Sequence, residues 1–200
     1  MTFTDIFGYL LAVASAVTIM PQAYHLLATK KTQGLSFSMS IMGVTTMCFW
    51  SFYTYNIKDW PAFASSILPL LIWLLIFLGI ALLSNNLSRK HLLLPFLLWS
   101  VIAVATFSPL LKLYGIVAAF CSCLWALPQL YKIIKESHFA GVSFLAFFAL
   151  GVENLCWVIY ALLRGNPTYL YAPIIQGPAA FYIAFIVYRY QQNNKAITQS

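Results

Sequence analysis

Charged residues are scarce in this chain. Of its 200 residues, 8% are charged and 62% are hydrophobic, whereas a soluble domain averages about 25% and about 45–50%. Only four residues are acidic: Asp5, Asp59, Glu136 and Glu153. A soluble protein of this size needs a charged outer shell, which so few charges do not provide. The composition therefore excludes an ordinary water-soluble domain and predicts a chain that is surrounded by lipid.

Motifs that are typical of enzymes and metal sites are also absent. The sequence contains no GxSxG, HExxH, phosphate-binding loop or ATP-binding motif. Its 4 cysteines form no CxxC pair, and its 3 histidines lack metal-ligand spacing. We therefore expect no enzyme activity, no metal and no cofactor. The net charge of +7 is carried by short loops between apolar runs, so we do not expect nucleic acid as a partner.

Long apolar runs make up most of the chain. A membrane-spanning helix needs about 20 mostly apolar residues, and turn-forming residues separate the runs that meet this length. Seven stretches qualify: 5–28, 36–55, 61–83, 91–107, 112–134, 142–163 and 168–190. The polar tail, 191–200, is expected to be irregular.

Lysine and arginine are unevenly divided between the predicted loops. In a seven-span chain, the three residues Lys58, Lys112 and Arg164 lie on one side, and the other eight of the 11 lie on the opposite side. Cytoplasmic loops carry the excess of positive charge. The bias therefore predicts a cytoplasmic C-terminus and an N-terminus that is extracellular or lumenal.

The sequence repeats itself after a shift of 107 residues. Between residues 8 and 53, this shift pairs identical glycine, proline, glutamine, serine, tryptophan and tyrosine residues without a gap. Trp50 meets Trp157, and Tyr53 meets Tyr160. Because the shift places the first span on the fifth, both copies cross the membrane in the same direction, which is a parallel repeat.

The repeat and the span count together predict the fold. We expect an all-α membrane protein with seven transmembrane helices, arranged as two parallel three-helix bundles plus a connector helix (3+1+3). The first repeat covers 1–86, the connector 87–110 and the second repeat 111–190, and a cytoplasmic tail follows at 191–200.

One motif occurs twice and carries a family resemblance. It begins with proline-glutamine late in a helix, continues through a basic loop, and ends where Gly-[Leu/Val]-Ser-Phe opens the next helix. The two copies are Pro21-Gln22 to Gly34-Leu35-Ser36-Phe37 and Pro128-Gln129 to Gly141-Val142-Ser143-Phe144. Over residues 5 to 190 the chain resembles the seven-helix PQ-loop superfamily. This superfamily includes SWEET sugar transporters, cystinosin-like lysosomal amino-acid exporters and ER-retrieval receptors, and the resemblance implies a central pathway between the two units.

The duplicated proline-glutamine pairs are candidate hinges. Pro21 and Pro128 lack the backbone N–H that would bond one turn back, so each helix can bend there. Gln22 and Gln129 can bond the freed backbone groups. Matching bends in both repeats suit a protein that rocks between inward-open and outward-open states. The alternative is a static kink, since proline is tolerated in many spanning helices.

Glu153 is the only acidic residue within an apolar span. A charge at the centre of a bilayer costs at least ~2.5–3.5 kcal/mol, so such residues face the bundle interior or a cavity. Burial away from water favours the neutral form of a carboxyl group, which suits a residue that carries a proton. We predict proton coupling; the alternative is a purely structural, protonated Glu153 that bonds between helices. The repeat mate of Glu153 is Thr46.

Two tryptophans at matching positions are the candidate solute-binding residues. Trp157 lies near Asn154 and Glu153 on the sixth span, and Trp50 supplies the matching aromatic ring in the first repeat. A flat ring beside hydrogen-bonding groups suits a small polar solute, whereas an interfacial aromatic belt is the alternative. Tyr53 and Tyr160, one turn from each tryptophan, are predicted either to gate the extracellular mouth or to belong to the belt.

The resemblance to SWEET transporters implies further site residues. In those relatives, the aromatic positions of the second and sixth helices act with asparagines on the third and seventh. Here the asparagines are missing, and Ser66 and Gln176 are the polar groups available instead. Trp50 and Trp157 match the aromatic part.

These features favour a secondary transporter or facilitator for a small polar organic solute, working by alternating access. Sugar is the favoured solute, and proton linkage is an open alternative. An amino acid or another charged metabolite is the second candidate because of Glu153. A ligand-binding sorting receptor is the candidate from another class. The partners expected are the solute and the lipid bilayer, and a monomer suffices because one chain holds both repeats.

Overall fold

The computed structural model describes residues 1–30, 37–83, 113–124 and 144–199. All regular structure in these ranges is helical. Six α-helices and one short 3-10 helix follow one another: α1 (Phe3–Thr29), α2 (Phe37–Asn56), α3 (Trp60–Leu83), α4 (Leu113–Leu124), α5 (Phe144–Arg164), the 3-10 helix (Pro167–Leu170) and α6 (Tyr171–Gln199).

The helix boundaries agree with the first, second, third and sixth predicted spans to within two residues at each end. The last span differs at both ends, because it is preceded by the 3-10 helix and continues as helix to Gln199. The expectation of an irregular tail is therefore wrong for 191–199. Gln191, Gln192, Lys195 and Ala196 have good helix propensity, and the segment extends a helix that is already nucleated. The predicted span 91–107 lies outside the described residues.

Four of the described helices are long and apolar enough to cross a membrane: Phe3–Thr29, Trp60–Leu83, Phe144–Arg164 and Pro167–Gln192. α4 is apolar but shorter in its described part. α2 has 20 residues, but its serine, threonine and tyrosine residues make it more polar than the other four. The count of seven spans thus rests on the length of each apolar run in the sequence.

The described residues form two compact units, Met1–Cys121 and Ser122–Ser200. In the first unit, α3 packs against both α1 and α2. The α1–α3 crossing places the Leu26 side chain over Gly79, and the α2–α3 crossing places the Trp73 indole over Gly43. Glycine is needed at these crossings because a side chain would hold the backbones apart.

Gly43→Ala should destabilise the protein strongly. The added methyl group would overlap with the indole ring of Trp73, which is buried and rigid. Overpacking of this kind costs about 1–3 kcal/mol, so the melting temperature in detergent should fall. Gly79→Ala is the matched control. There the nearest atom to the added Cβ is the end of the flexible Leu26 side chain, at 2.5 Å, so a smaller fall is expected. Equal melting temperatures for the two variants would contradict this packing.

In the second unit, α6 packs along α5. At their crossing, a Cβ on Gly151 would lie 2.7 Å from the Phe181 ring, so the two helices approach closely there. A second close approach joins Gly177 to Asn154, where a Cβ on Gly177 would lie 3.3 Å from the Asn154 Cβ. These small residues hold α5 and α6 side by side and fix the register of the polar groups along them.

The loops after α2 and after α5 have the same backbone structure. Asp59 N–H donates to the Thr54 carbonyl at 3.0 Å, and Asn166 N–H donates to the Ala161 carbonyl at 3.1 Å. The preceding residue has a left-handed backbone in both loops, with φ of 58° at Lys58 and 62° at Gly165. This is the Schellman arrangement that commonly ends helices.

The following helix begins the same way in both units. The Asp59 carboxylate accepts from the Ala62 N–H at 3.4 Å, and the Asn166 side-chain oxygen accepts from the Thr168 N–H at 3.1 Å. Asp and Asn are preferred helix N-caps for this reason. Thr54, Lys58 and Asp59 correspond to Ala161, Gly165 and Asn166 under the 107-residue shift, so the repeat extends six residues beyond Tyr53.

Candidate functional site

Trp50 and Tyr53 form an aromatic pair on α2. Their ring centroids are 6.0 Å apart with an interplanar angle of 69°, an edge-to-face contact. Tyr53 is buried and Trp50 is half-buried. Thr46 lies on the same side of α2, one turn before Trp50. Its hydroxyl is buried and has no hydrogen-bond partner in the part of the chain that the structure describes.

The second unit contains the corresponding aromatic pair together with a third ring. Trp157 and Tyr160 meet edge to face, with centroids 5.5 Å apart and an interplanar angle of 83°. Tyr169 of the 3-10 helix joins them, at 6.2 Å from Trp157 and 5.8 Å from Tyr160. Tyr160 is fully buried. Three aromatic rings therefore pack together at the loop end of α5.

A cation adjoins this cluster. The Arg164 Nε–H donates to the Tyr160 hydroxyl at 3.0 Å, and the guanidinium carbon lies 5.4 Å from the centroid of the same ring. The bond fixes the orientation of Tyr160. The corresponding residue in the first unit is Ile57, which cannot make this contact. The two tyrosines predicted to be gates therefore have different surroundings.

Glu153, Trp157, Tyr160 and Arg164 follow one another along a single face of α5, because they are spaced by four, three and four residues. Glu153 is half-buried, and its Oε2 atom is buried. The carboxyl and the indole are one helical turn apart, so a solute near Trp157 would be within reach of Glu153. The arrangement combines an ionisable group, a flat ring and a hydroxyl along one line.

Asn154 lies beside this face and toward α6. Its side chain is buried, its Nδ2 donates to the Leu150 carbonyl at 2.8 Å, and its Cβ packs against Gly177. The amide thus takes part in the contact between α5 and α6. Its role as a solute ligand stays a prediction.

Ser66 lies at the contact of α2 and α3. It is buried, its hydroxyl donates to the Phe63 carbonyl at 2.9 Å, and the same oxygen is 3.5 Å from the Thr54 hydroxyl. The side chain is therefore surrounded by helices of its own unit. Solute binding by Ser66 stays a prediction.

Gln176 connects two helices of the second unit. Its side-chain amide on α6 donates to the backbone carbonyl of Ser122 on α4. In the first unit the corresponding residue is Pro69, which has no such donor. Gln176 is half-buried. Its predicted contact with solute stays a prediction, and the structure adds this interhelical bond.

The predicted hinges are described only in the first repeat. Pro21 lies inside a continuous α1 and is exposed, and Gln22 is half-buried. Pro128 and Gln129 lie outside the described residues. α3 and α6 each contain a further internal proline, Pro69 and Pro178. These two prolines are not repeat mates, so the comparison of the repeats gave no signal for them.

A protein-family model, the PQ loop repeat, matches this chain twice, over residues 3–63 and 110–170. The chain belongs to the PQ-loop repeat family. The starts of the two matches differ by 107 residues, as do their ends, which confirms the repeat found in the sequence. Together with the apolar helices, membership identifies an integral, multi-pass membrane protein.

A solved structure shares the fold of this PQ-loop protein. The structure of a eukaryotic SWEET transporter has a TM-score of 0.78, and the match covers 96% of this chain and 100% of that chain. Sequence identity is 11%, so the similarity concerns the fold alone. Among curated protein sequences, none matches the chain.

Two residues of this PQ-loop protein's aromatic cluster were not predicted from the sequence. Tyr169 has Ala62 as its repeat mate, so the comparison of repeats did not select it. Arg164 was interpreted only as a loop charge. Its spacing of four residues from Tyr160 is a helical neighbour spacing, and this signal could have identified the pair.

Proposed function

We propose that this PQ-loop protein is a secondary transporter or facilitator for a small polar organic solute. The observation that carries the proposal is the duplicated tryptophan–tyrosine pair, which has the same edge-to-face geometry on α2 and on α5. Aromatic faces with adjacent polar groups bind small polar molecules. In a parallel repeat the two pairs would lie at the same depth in the membrane, so a solute in a central pathway could contact both.

Sugar is the favoured solute in this proposal. Trp50 and Trp157 would stack against the apolar faces of a sugar ring, while hydroxyl and amide groups would bond its hydroxyls. Asn154, Ser66 and Gln176 are the proposed polar ligands. The resemblance to SWEET transporters, through the aromatic positions of α2 and α5, supports this choice.

Alternating access is the proposed mechanism. The two units would rock with bending at Pro21 and Pro128, and Tyr53 and Tyr160 would open and close the extracellular mouth. The asymmetry at Arg164 supports unequal roles for the two tyrosines, because Tyr160 accepts a hydrogen bond from Arg164, whose repeat mate is Ile57. Opening would then require Tyr160 and Arg164 to move together.

An amino acid or another charged metabolite is the second candidate, and Glu153 favours it. Glu153 is the acidic residue near the middle of a predicted span. A carboxyl group at this depth can bind a proton or a cationic group of the solute. Sugar transport with proton coupling and amino-acid transport therefore both use this carboxyl.

Uptake into proteoliposomes tests the function. The purified protein would be reconstituted and supplied with a panel of radiolabelled sugars and amino acids, with and without a pH gradient. Saturable uptake of a sugar is expected, in excess of that of empty liposomes. Uptake of amino acids but not of sugars would mean that the solute is an amino acid. Uptake of neither class would contradict the transporter proposal.

The proposed arrangement has seven spans in a 3+1+3 order, with repeats at 1–86 and 111–190 and a connector at 87–110. A cytoplasmic C-terminus and an extracellular or lumenal N-terminus belong to the same proposal. In a variant without native cysteines, a cysteine at Ser200 should react with an impermeant maleimide only from the cytoplasmic side. A cysteine at Thr2 should react only from the other side. Labelling of both from one side would contradict the odd number of spans.

A further inference from the structure

An apolar groove of about 300 Å³ lies between α5 and α6. Leu155 and Val158 of α5 form one wall, and Pro173, Ile174 and Pro178 of α6 form the other. Leu155 and Ile174 are more than half exposed, at 53% and 57%. The groove is therefore open to the surroundings of the helices, and it is lined by apolar side chains.

The residues that line the groove differ from their repeat mates in the first unit. Gly177 lines the groove, and its repeat mate is Leu70, whose side chain is buried between the helices of the first unit. The mate of Val158 is Ser51, and the mate of Pro173 is Ser66. Where the first unit has a large side chain and buried hydroxyls, the second has a glycine and apolar walls. The groove thus results from specific residues of the second repeat.

On α5, the groove wall at Leu155 is turned away from Glu153, Trp157 and Tyr160. Successive residues of an α-helix are rotated by about 100°, so Leu155 is turned by about 200° from Glu153. Trp157 and Tyr160 lie on the Glu153 side. Leu155 and Ile174 are exposed on two helices that are long and apolar enough to cross a membrane, so in a bilayer the groove would open to hydrocarbon.

We propose that the groove between α5 and α6 binds an acyl chain of a membrane phospholipid. Its α6 wall begins three residues into that helix, next to the 3-10 helix. The bound lipid therefore belongs to the leaflet on the side of the loop from Gly165 to Leu170. Apolar walls that continue the lipid-facing surface of two spanning helices favour hydrocarbon over any polar ligand, and a headgroup contributes no specificity within the groove.

Photo-crosslinking tests the proposal without requiring a transport assay. The protein would be reconstituted in phosphatidylcholine liposomes that contain phosphatidylcholine with a diazirine on its acyl chain, and adducts would be mapped by mass spectrometry. Labelling is expected to be concentrated at 155–158 and 173–181, above the level at exposed positions such as Leu71 and Leu78 of α3. Evenly distributed labelling would overturn the proposal.

A groove-filling variant sharpens the test. Ile174→Trp should fill the groove and exclude the chain, which lowers groove labelling to the level at Leu71 and Leu78. Ile175→Trp is the matched control, because Ile175 is exposed at 53% on the same helix and does not line the groove. Unchanged labelling in Ile174→Trp would overturn the proposal, and so would equal losses in both variants.

Light scattering distinguishes a lipid from a second copy of the chain. With a lipid in the groove, wild type and Ile174→Trp should have the same molecular mass in detergent. A wild-type dimer that Ile174→Trp converts to a monomer would mean that the groove seats another protein chain, which overturns the lipid proposal. Leu155→Trp fills the groove from its other wall and repeats the test if Ile174→Trp does not fold.

Discussion

Trp157→Ala is expected to lower solute uptake into proteoliposomes by about 30-fold or more at solute concentrations below saturation. Removal of a buried aromatic anchor costs about 2–4 kcal/mol of binding free energy, and each ~1.4 kcal/mol corresponds to tenfold in affinity. If Trp157 stacks on the solute, the loss should appear mainly as a raised KM. Trp50→Ala should behave in the same way, because it carries the matching ring of the first repeat.

Packing must be separated from solute binding in this experiment. Trp157 contacts Tyr160 and Tyr169, so its removal also loosens the cluster. Trp157→Phe keeps an aromatic face and should recover much of the uptake. Trp60→Ala is the control for an interfacial tryptophan, because Trp60 is exposed and packs edge to face on the rings of Tyr55 and Phe63. Uptake by Trp60→Ala should equal uptake by wild type.

The melting temperature decides between the two roles. If both alanine variants lose folded protein as severely as they lose uptake, the tryptophans stabilise the helices and do not bind solute. If both fold normally and uptake by only one is impaired, the solute contacts a single repeat. Either result would contradict a site shared by Trp50 and Trp157, although the second result is still compatible with transport.

The spans and the repeat could be predicted from the sequence because both follow from simple physical requirements. A helix in hydrocarbon needs about 20 apolar residues, and this length determines boundaries such as those of α1 and α3. The repeat was visible because Pro, Gln, Trp and Tyr seldom align by chance between apolar segments. Asp59 and Asn166 are different residues with one capping role, so identity alone did not extend the repeat to them.

Side-chain partners could not be predicted in the same way. Ser66 and Gln176 are polar and lie in spans, and the sequence does not indicate whether such groups face a solute or a neighbouring helix. In the structure, Ser66 bonds within its own unit and Gln176 donates to Ser122. The groove forms because Gly177 has no side chain to fill the space between α5 and α6. That space is defined only once the two helices have packed together.

Glu153→Gln is expected to abolish the response of uptake to a pH gradient while leaving exchange of solute across the membrane. Glutamine has nearly the size of a glutamate and keeps hydrogen-bonding atoms, but it stays neutral at every pH. If Glu153 takes up a proton on one side and releases it on the other, solute movement is linked to the proton gradient. The linkage requires a group that titrates, and the substitution removes only that property.

The experiment compares wild type and variant with the same internal pH and two external pH values. Wild-type uptake should accelerate when protons are supplied on the solute side, and uptake by Glu153→Gln should be the same at both values. Asn154→Ala is a control for a polar neighbour that does not ionise. This variant should retain the response of uptake to pH. Loss of the Asn154 side chain from the α5–α6 contact should lower the melting temperature.

Two other outcomes each assign Glu153 a different role. Unchanged uptake that ignores pH in both proteins means that the carboxyl is structural and that the protein is a facilitator. Loss of solute binding in Glu153→Gln means that the carboxylate contacts a cationic group of the solute directly. That outcome would favour an amino acid, because a neutral sugar offers no charge to Glu153. Since Trp157 lies one turn from Glu153 on the same face of α5, a cationic solute bound there could contact the indole and the carboxylate together.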